Sequence, residues 1–143
     1  MDEIHFHSED IPFELANPTK VADWISAVVV EHGYSIAEVS YIFCNDDYLL
    51  QVNQEHLDHD YFTDIITFPL HEAGSTALIS DMFISIDRVK DNASSIKAPF
   101  LDELHRVMIH GILHQIGFDD KTEELKSQMR VAEDAALMNR NWL

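Results

Sequence analysis

Apolar residues recur at three- and four-residue steps late in the chain, and this spacing predicts one long amphipathic helix. Positions at these steps share one side of an α-helix, so the pattern predicts a helix with one buried stripe. Pro99 suits its first turn, and Gly117 suits its end because glycine readily adopts the left-handed conformation that terminates a helix. The stripe consists of Leu101, Leu104, Met108, Ile112 and Ile116.

Shorter patterns predict the remaining elements. Alternating apolar residues predict strands over residues 4–7, 38–45, 65–68 and 76–86. Further helices are predicted after Asn17-Pro18, after Asp46, over residues 87–97 and after Thr122, with Asn17, Asp46 and Thr122 as N-caps. Strands and helices are interspersed without strict alternation, so the predicted fold class is α+β, a small mixed β-sheet with helices packed on its faces. Residues 1–143 are expected to form a single domain.

Two histidines in the long helix have metal-ligand spacing. His110 and His114 are four residues apart, so a helix directs both imidazoles to one side. After Gly117 the chain can turn back and bring Asp119 or Asp120 toward the same ion. Two histidines, one carboxylate and an open position are typical of a catalytic zinc site.

Residues 110–119 (HGILHQIGFD) closely resemble the signature His-Gly-x-Leu-His-x-x-Gly-Tyr-Asp-His of the YbeY family, bacterial metal-dependent endoribonucleases that act in rRNA maturation. Residues 63–69 (TDIITFP) are similar to the family's Thr-(Asp/Asn)-Val-Leu-Ser-Phe-Pro segment, and residues 80–85 (SDMFIS) to its Gly-Asp-Ile-x-Ile strand. Two positions depart from the family pattern: Asp120 replaces the third histidine ligand, and Leu57 replaces an arginine.

The resemblance implies a mixed sheet around a central metal-binding helix. It implies that His110, His114 and Asp120 hold one Zn²⁺ ion, with Asp119 as the alternative third ligand. Nickel, manganese and iron suit the same donors. It also places Asp81 at the active-site edge, so the expected catalytic residues are His110, His114 and Asp81. The implied partners are rRNA and ribosomal components, and no DNA is expected.

The charge balance argues against simple nucleic-acid binding. The chain has nine Lys and Arg residues and 26 Asp and Glu residues, which gives a net charge of −17. Phosphate contacts supply much of the affinity for nucleic acid. A chain with this composition therefore needs a local basic patch, a bound metal or a partner that already holds the RNA.

The remaining sequence features predict a cytoplasmic protein without a membrane partner. The N-terminus is acidic and has no apolar signal region. No apolar run is long enough to cross a bilayer. The single cysteine, Cys44, fits a reducing compartment and is expected to be a buried structural thiol.

Two other functions compete with the endoribonuclease. Leu57 and the acidic surface favour a ribosome-associated binding protein with weak or no catalysis. The histidine spacing is also similar to that of metzincin proteases, but these carry a glutamate after the first histidine as general base, and Gly111 has no side chain. His105 is expected to be a structural or surface residue, and the pair His56 and His59 is expected to bind no metal. Arg106 is expected either to form an ion pair with Asp102 or Glu103 or to steer phosphate.

Overall fold

The computed structural model describes residues 3–59 and 61–143. In these ranges the chain forms four strands and five helices. Their order and bounds are β1 Glu3–Ser8, α1 Pro18–Glu31, β2 Ser35–Cys44, α2 Asp46–Leu57, β3 Ile65–Pro69, β4 Ala77–Ser85, α3 Ile86–Ile96, α4 Phe100–Ile116 and α5 Glu123–Met138.

The strands form one mixed sheet in the order β1-β2-β4-β3. β1, β2 and β4 are parallel, and β3 runs antiparallel to β4 at one edge. The short strand β3 is connected to β4 by only seven residues and pairs directly with it, as an antiparallel edge strand. The sheet and its covering helices confirm the predicted α+β class.

The helix α4 lies at the centre of the main core. It packs against β3 and β4 of the sheet and against α1, α3 and α5. The side chains of Leu104, Met108 and Ile112 are completely buried there, as the predicted stripe requires. The other face of the sheet packs against α2 through a smaller cluster that includes Leu49, Val52 and Ile66. The resemblance to a fold with a central helix is therefore confirmed.

Gly111 allows α4 to approach the sheet closely. A Cβ atom at this position would lie 2.6 Å from Met82 Sδ and 2.8 Å from Ile65 Cδ1. Carbon and sulfur atoms in contact need separations of about 3.5–4 Å. Any side chain at position 111 would therefore require the side chains of Met82 and Ile65 to shift.

Of the three predicted N-caps, Asn17 and Thr122 occupy the N-cap position and Asp46 does not. Asn17 stands at the N-cap of α1 but has a left-handed backbone (φ 53°), and its side chain makes no capping hydrogen bond. Asn45, not Asp46, caps α2, since its side chain accepts from the Tyr48 amide at 2.8 Å. Asp46 instead binds Ser85 and Arg88 across the sheet end. Thr122 caps α5 as predicted.

Cys44 and His105 are buried, as their predicted structural roles require. The Cys44 thiol lies in the α2 cluster, where burial raises its pKa to about 12. His105 is only 1% exposed and packs against the rings of both Trp24 and Trp142. Arg140 donates to its Nδ1 at 2.9 Å, so this nitrogen is an acceptor and the ring proton sits on Nε2. Burial, with a smaller contribution from Arg140, lowers the pKa of His105 to about 4.

Candidate active site

The helix α4 directs His110 and His114 into one cleft. Their rings are nearly parallel, with an interplanar angle of 5° and centroids 6.5 Å apart. The cleft has a volume of about 390 Å³ and is also lined by Asp120. We call it the histidine cleft and define it by His110, His114 and Asp120. The i, i+4 prediction for the two histidines is therefore confirmed as a shared side of α4.

The end of α4 turns the chain back toward the histidines. Gly117 has a φ of 117°, and its amide bonds to the His114 carbonyl at 3.3 Å. The Phe118 amide then bonds to the Leu113 carbonyl at 3.1 Å, which closes the helix end. This turn brings Asp120 Oδ2 to 3.7 Å from His110 Nε2.

A buried carboxylate from another helix fixes the orientation of His110. Glu133 on α5 is 5% exposed, and its Oε2 accepts a hydrogen bond from His110 Nδ1 at 2.7 Å. An ionised carboxylate only accepts hydrogen bonds, so Nδ1 carries a proton, and in the neutral ring Nε2 presents a lone pair toward the cleft. Arg106 holds the other oxygen of Glu133 at 2.8 Å. Metal-binding histidines almost always donate their second ring nitrogen to such a partner.

The same contact shifts the pKa values of both groups. The hydrogen bond to Glu133 raises the pKa of His110, although burial acts in the opposite direction. Burial alone would raise the pKa of Glu133, but the hydrogen bonds from His110 and Arg106 outweigh it, and the pKa of Glu133 is lowered. Both shifts arise mainly from the one hydrogen bond between His110 and Glu133.

The donors in the histidine cleft fit a divalent metal ion. Two imidazoles and a carboxylate are ligand types that zinc takes in catalytic sites. His114 and Asp120 are exposed, so both side chains are free to close on an ion next to the fixed Nε2 of His110. Asp119 is engaged locally, because its Oδ1 accepts from the Asp120 amide at 2.7 Å. This contact favours Asp120 over Asp119 as the carboxylate ligand.

A tighter group of ligand types lies elsewhere. Within residues 3–59 and 61–143, the one set of three ligand atoms that all lie within 4.8 Å of one another belongs to Glu3, His5 and Glu38. All three are exposed on β1 and β2, and His5 and Glu3 form a surface ion pair at 3.7 Å. In the histidine cleft Asp120 Oδ2 already lies 3.7 Å from His110 Nε2, so ion binding there requires mainly the His114 side chain to move inward.

Asp81 is not brought together with the histidines. Met82, the next residue on β4, lies against Gly111 of α4, and side chains alternate between the faces of a strand. Asp81 therefore lies on the opposite face of the sheet, beside Phe83 of the α2 cluster. It lines neither of the two clefts that contain His110.

The other titratable residues near the site take different partners. Arg106 pairs with Glu133 and Asp134, so the predicted ion pair with Asp102 or Glu103 is wrong. Helix α5 supplies these acids because it packs directly on α4. His56 packs on Phe68 and His59 on Tyr61, so the two histidines do not converge on one site.

A second cleft lies on the other side of His110. It has a volume of about 290 Å³ and shares His110 and Asp120 with the histidine cleft. We call it the α5 cleft, because Lys126, Arg130 and Glu133 of α5 line one side. Asp64 and Glu103 also line it, and burial raises the pKa of both carboxyl groups.

Sequence reasoning missed Glu133, Asp64 and Glu103. Glu133 carried one signal, since it lies next to the apolar stripe of α5, where an unpaired acid would be costly. Its partner could not be read from the sequence, because His110 is 23 residues away.

No helix within residues 3–59 and 61–143 combines the length and apolar character that crossing a membrane requires.

Comparisons with known proteins agree along nearly the whole chain. The family model described as Endoribonuclease YbeY matches residues 3–141. The Endoribonuclease YbeY of Cytophaga hutchinsonii is 48% identical over 139 residues, which cover 97% of this chain and 96% of the relative. That of Porphyromonas gingivalis is 45% identical over 138 residues, covering 96% and 90%.

A solution structure of a Thermotoga maritima protein is similar in fold, with a TM-score of 0.63 at 24% identity over 93% of this chain and 88% of that one. The fold, the family model and the curated relatives agree, and the chain belongs to the Endoribonuclease YbeY family.

Proposed function

We propose that this protein is a metal-dependent endoribonuclease that cleaves single-stranded RNA in rRNA maturation and ribosome quality control. Its relatives are named endoribonucleases, which supplies the reaction class. The observation that carries the proposal is the contact between Glu133 and His110. A buried carboxylate holds one ring nitrogen, and the other faces a cleft shared with His114 and Asp120.

In this proposal His110, His114 and Asp120 hold one Zn²⁺ ion. When bound, such an ion supplies a water of lowered pKa and a Lewis acid for a phosphodiester oxygen. Glu133 keeps a proton of His110 on Nδ1, so that the lone pair of Nε2 can bind a metal ion in the cleft. Arg106 neutralises Glu133 and holds it in position.

The walls of the histidine cleft support an unpaired RNA substrate. The ring of Tyr61 stacks on that of His59 with centroids 5.2 Å apart, and both line the cleft. Tyr61 is 55% exposed. Unpaired bases stack on exposed aromatic rings, whereas bases within a duplex are not accessible. rRNA and ribosomal components are therefore the proposed partners.

The packing around Gly111 argues against a peptidase. A zinc peptidase of similar histidine spacing needs a glutamate at this position as its general base. The sheet leaves no room for even a Cβ atom there, since Met82 Sδ would lie 2.6 Å away. Gly111 itself has no side chain to act as the base, and a glutamate in its place would have to displace Met82 and Ile65.

The first experiment is elemental analysis of protein purified without chelators. We expect about one ion per chain in the wild type, and loss of that ion in His114→Ala and in Asp120→Ala. His59→Ala is the matched control, because His59 lines the same cleft without belonging to the proposed ligand set. A wild type that binds no added metal, or variants that retain it, would refute the proposed ligands.

Cleavage tests the reaction itself. Pure protein should cut single-stranded rRNA fragments, and both a chelator and His114→Ala should abolish the activity. RNA that is bound but never cut by metal-loaded protein would instead support the binding protein that Leu57 favours.

A further inference from the structure

The few basic residues of this chain are not evenly distributed. Three of its nine lysine and arginine residues, Arg106, Lys126 and Arg130, line the α5 cleft. This cleft shares His110 and Asp120 with the histidine cleft, so the two side chains stand between the two cavities. Four acidic residues, Asp64, Glu103, Asp120 and Glu133, line the same cleft, so the three cations stand in a site of mixed charge.

The geometry of α5 directs two of these cations to the same place. Lys126 and Arg130 are four residues apart, so they project from one side of the helix. Met129 and Glu133 also line the cleft, which shows that this side of α5 faces it. Since Glu133 binds His110, the cations lie on the same helix side as the residue that orients the site.

These two cations are available to an external anion. Within the described residues, Arg88, Arg106 and Arg140 are each held by an acidic side chain at 3.2 Å or less, whereas Arg130 has no ion pair. Lys126 approaches Glu123 only at 3.7 Å, and the side chain of Glu123 is 95% exposed. Exposed pairs of this kind contribute little energy.

The α5 cleft also contains an acid without a hydrogen-bond partner among the described residues. Glu103 is 93% buried, since only 7% of its surface is exposed, and its carboxylate lines the cleft. Arg130 is among the charges that act on it. Lys126 and Arg130 are both exposed at this cleft.

We propose that Lys126 and Arg130 form a phosphate-binding subsite that holds an RNA backbone phosphate adjacent to the scissile one. Leu57 lines the histidine cleft, so this subsite lies on the other side of His110 from the position where the family pattern has an arginine. A guanidinium binds phosphate through two parallel hydrogen bonds, and an ammonium adds a point charge. The RNA strand would then run from the histidine cleft, past His110 and Asp120, into the α5 cleft. This inference rests on the proposed function and specifies how the substrate is held.

The salt dependence of RNA binding tests the subsite. The probe is an end-labelled single-stranded oligoribonucleotide with 2′-O-methyl ribose, followed by fluorescence anisotropy with zinc-loaded protein. The variant is Lys126→Gln with Arg130→Gln. The matched control is Lys20→Gln with Lys90→Gln, which changes the net charge equally at two exposed lysines away from both clefts.

Each phosphate contact to a single strand contributes about −0.7 to the slope of log affinity against log salt. The subsite holds one phosphate, so the subsite variant should lose about 0.7 from the slope and bind about 5-fold more weakly at about 0.1 M salt. The control should keep the wild-type slope. Both side chains are exposed, so the thermal unfolding midpoint of the variant should not change.

Equal slopes in the subsite variant and the control would overturn the proposal. Arg130→Lys adds a second check. It keeps the positive charge, so it should keep most of the wild-type slope of log affinity against log salt. The proposed function fails separately, in the wild type itself, if the metal-loaded protein neither binds nor cuts single-stranded RNA. Wild-type cleavage combined with an unchanged variant slope would refute only the subsite.

Discussion

Replacing Glu133 by glutamine is expected to weaken metal binding by about 10–100-fold, the usual effect of removing the partner that orients a metal ligand. Glu133 accepts two charge-assisted hydrogen bonds, from His110 at 2.7 Å and from Arg106 at 2.8 Å. Glutamine has one acceptor oxygen, so one donor must face its amide group instead. The affinity loss corresponds to about 1.4–2.7 kcal/mol.

The same substitution should lower the free energy of unfolding of the metal-free protein by about 1.5–3 kcal/mol, the contribution of one hydrogen bond to a charged group. Asp134→Asn is the matched control, because it removes the other partner of Arg106 with the same change of charge. Asp134 does not touch His110 and its side chain is 56% exposed, so its loss should cost less than about 1 kcal/mol.

Zinc titration in competition with a chelating dye measures the affinities, and urea unfolding measures the stabilities. The expected result is a large loss of affinity in Glu133→Gln and almost none in Asp134→Asn. Equal affinities in the two variants would refute the orienting role of Glu133. A loss of stability without a loss of affinity would show that Glu133 only joins α4 to α5.

Three further predictions concern stability and the third ligand. His105 is protonated below pH 6.5 in the unfolded chain but only below about pH 4 when folded, so the free energy of unfolding should fall by about 3 kcal/mol as the pH falls through that window. In urea unfolding, His105→Gln should lack this fall. A stability difference between wild type and variant that stays constant with pH would contradict the prediction. Gly111→Ala should lower the free energy of unfolding by up to about 2 kcal/mol. Overpacking against Met82 and Ile65 costs about 1–3 kcal/mol, and the higher helix propensity of alanine returns about 1 kcal/mol. A higher melting temperature of the variant would contradict this prediction. Asp120→His should raise the rate of RNA cleavage or lower its pH optimum, since a neutral ligand leaves the ion more electrophilic; a pH–rate profile identical to that of the wild type would show that the ligand charge has no effect.

Local patterns in the sequence were sufficient to predict α4 and its two histidines. The stripe from Leu101 to Ile116 has one period throughout, and Gly117 ends it at a conformation that few other residues adopt. The N-caps were less predictable, because several polar residues stand side by side. Asn45 and Asp46 both suit a cap, and only the contact of Asp46 with Ser85 and Arg88 decides between them.

Contacts between elements could not be predicted in the same way. Alternation along β4 correctly separated Asp81 from Met82, but it could not reveal which face α4 covers. The structure places Met82 against α4 and Asp81 on the far side. Likewise, Glu133 reaches His110 only because α5 packs on α4 after the turn at Gly117.

The net charge was informative about the whole surface but not about the site. Charges more than about 8 Å apart are largely screened at physiological salt. The affinity for RNA therefore depends on the cations within one cleft, whereas the 26 acids act mainly on the rate of encounter. Added salt weakens contacts to Lys126 and Arg130 but also screens the repulsion between RNA and the acidic surface. The two effects have opposite signs, so the association rate should rise with salt while the complex dissociates faster. A basic RNA-binding protein is expected to show the opposite effect on association, since added salt slows its association with RNA and also weakens the complex.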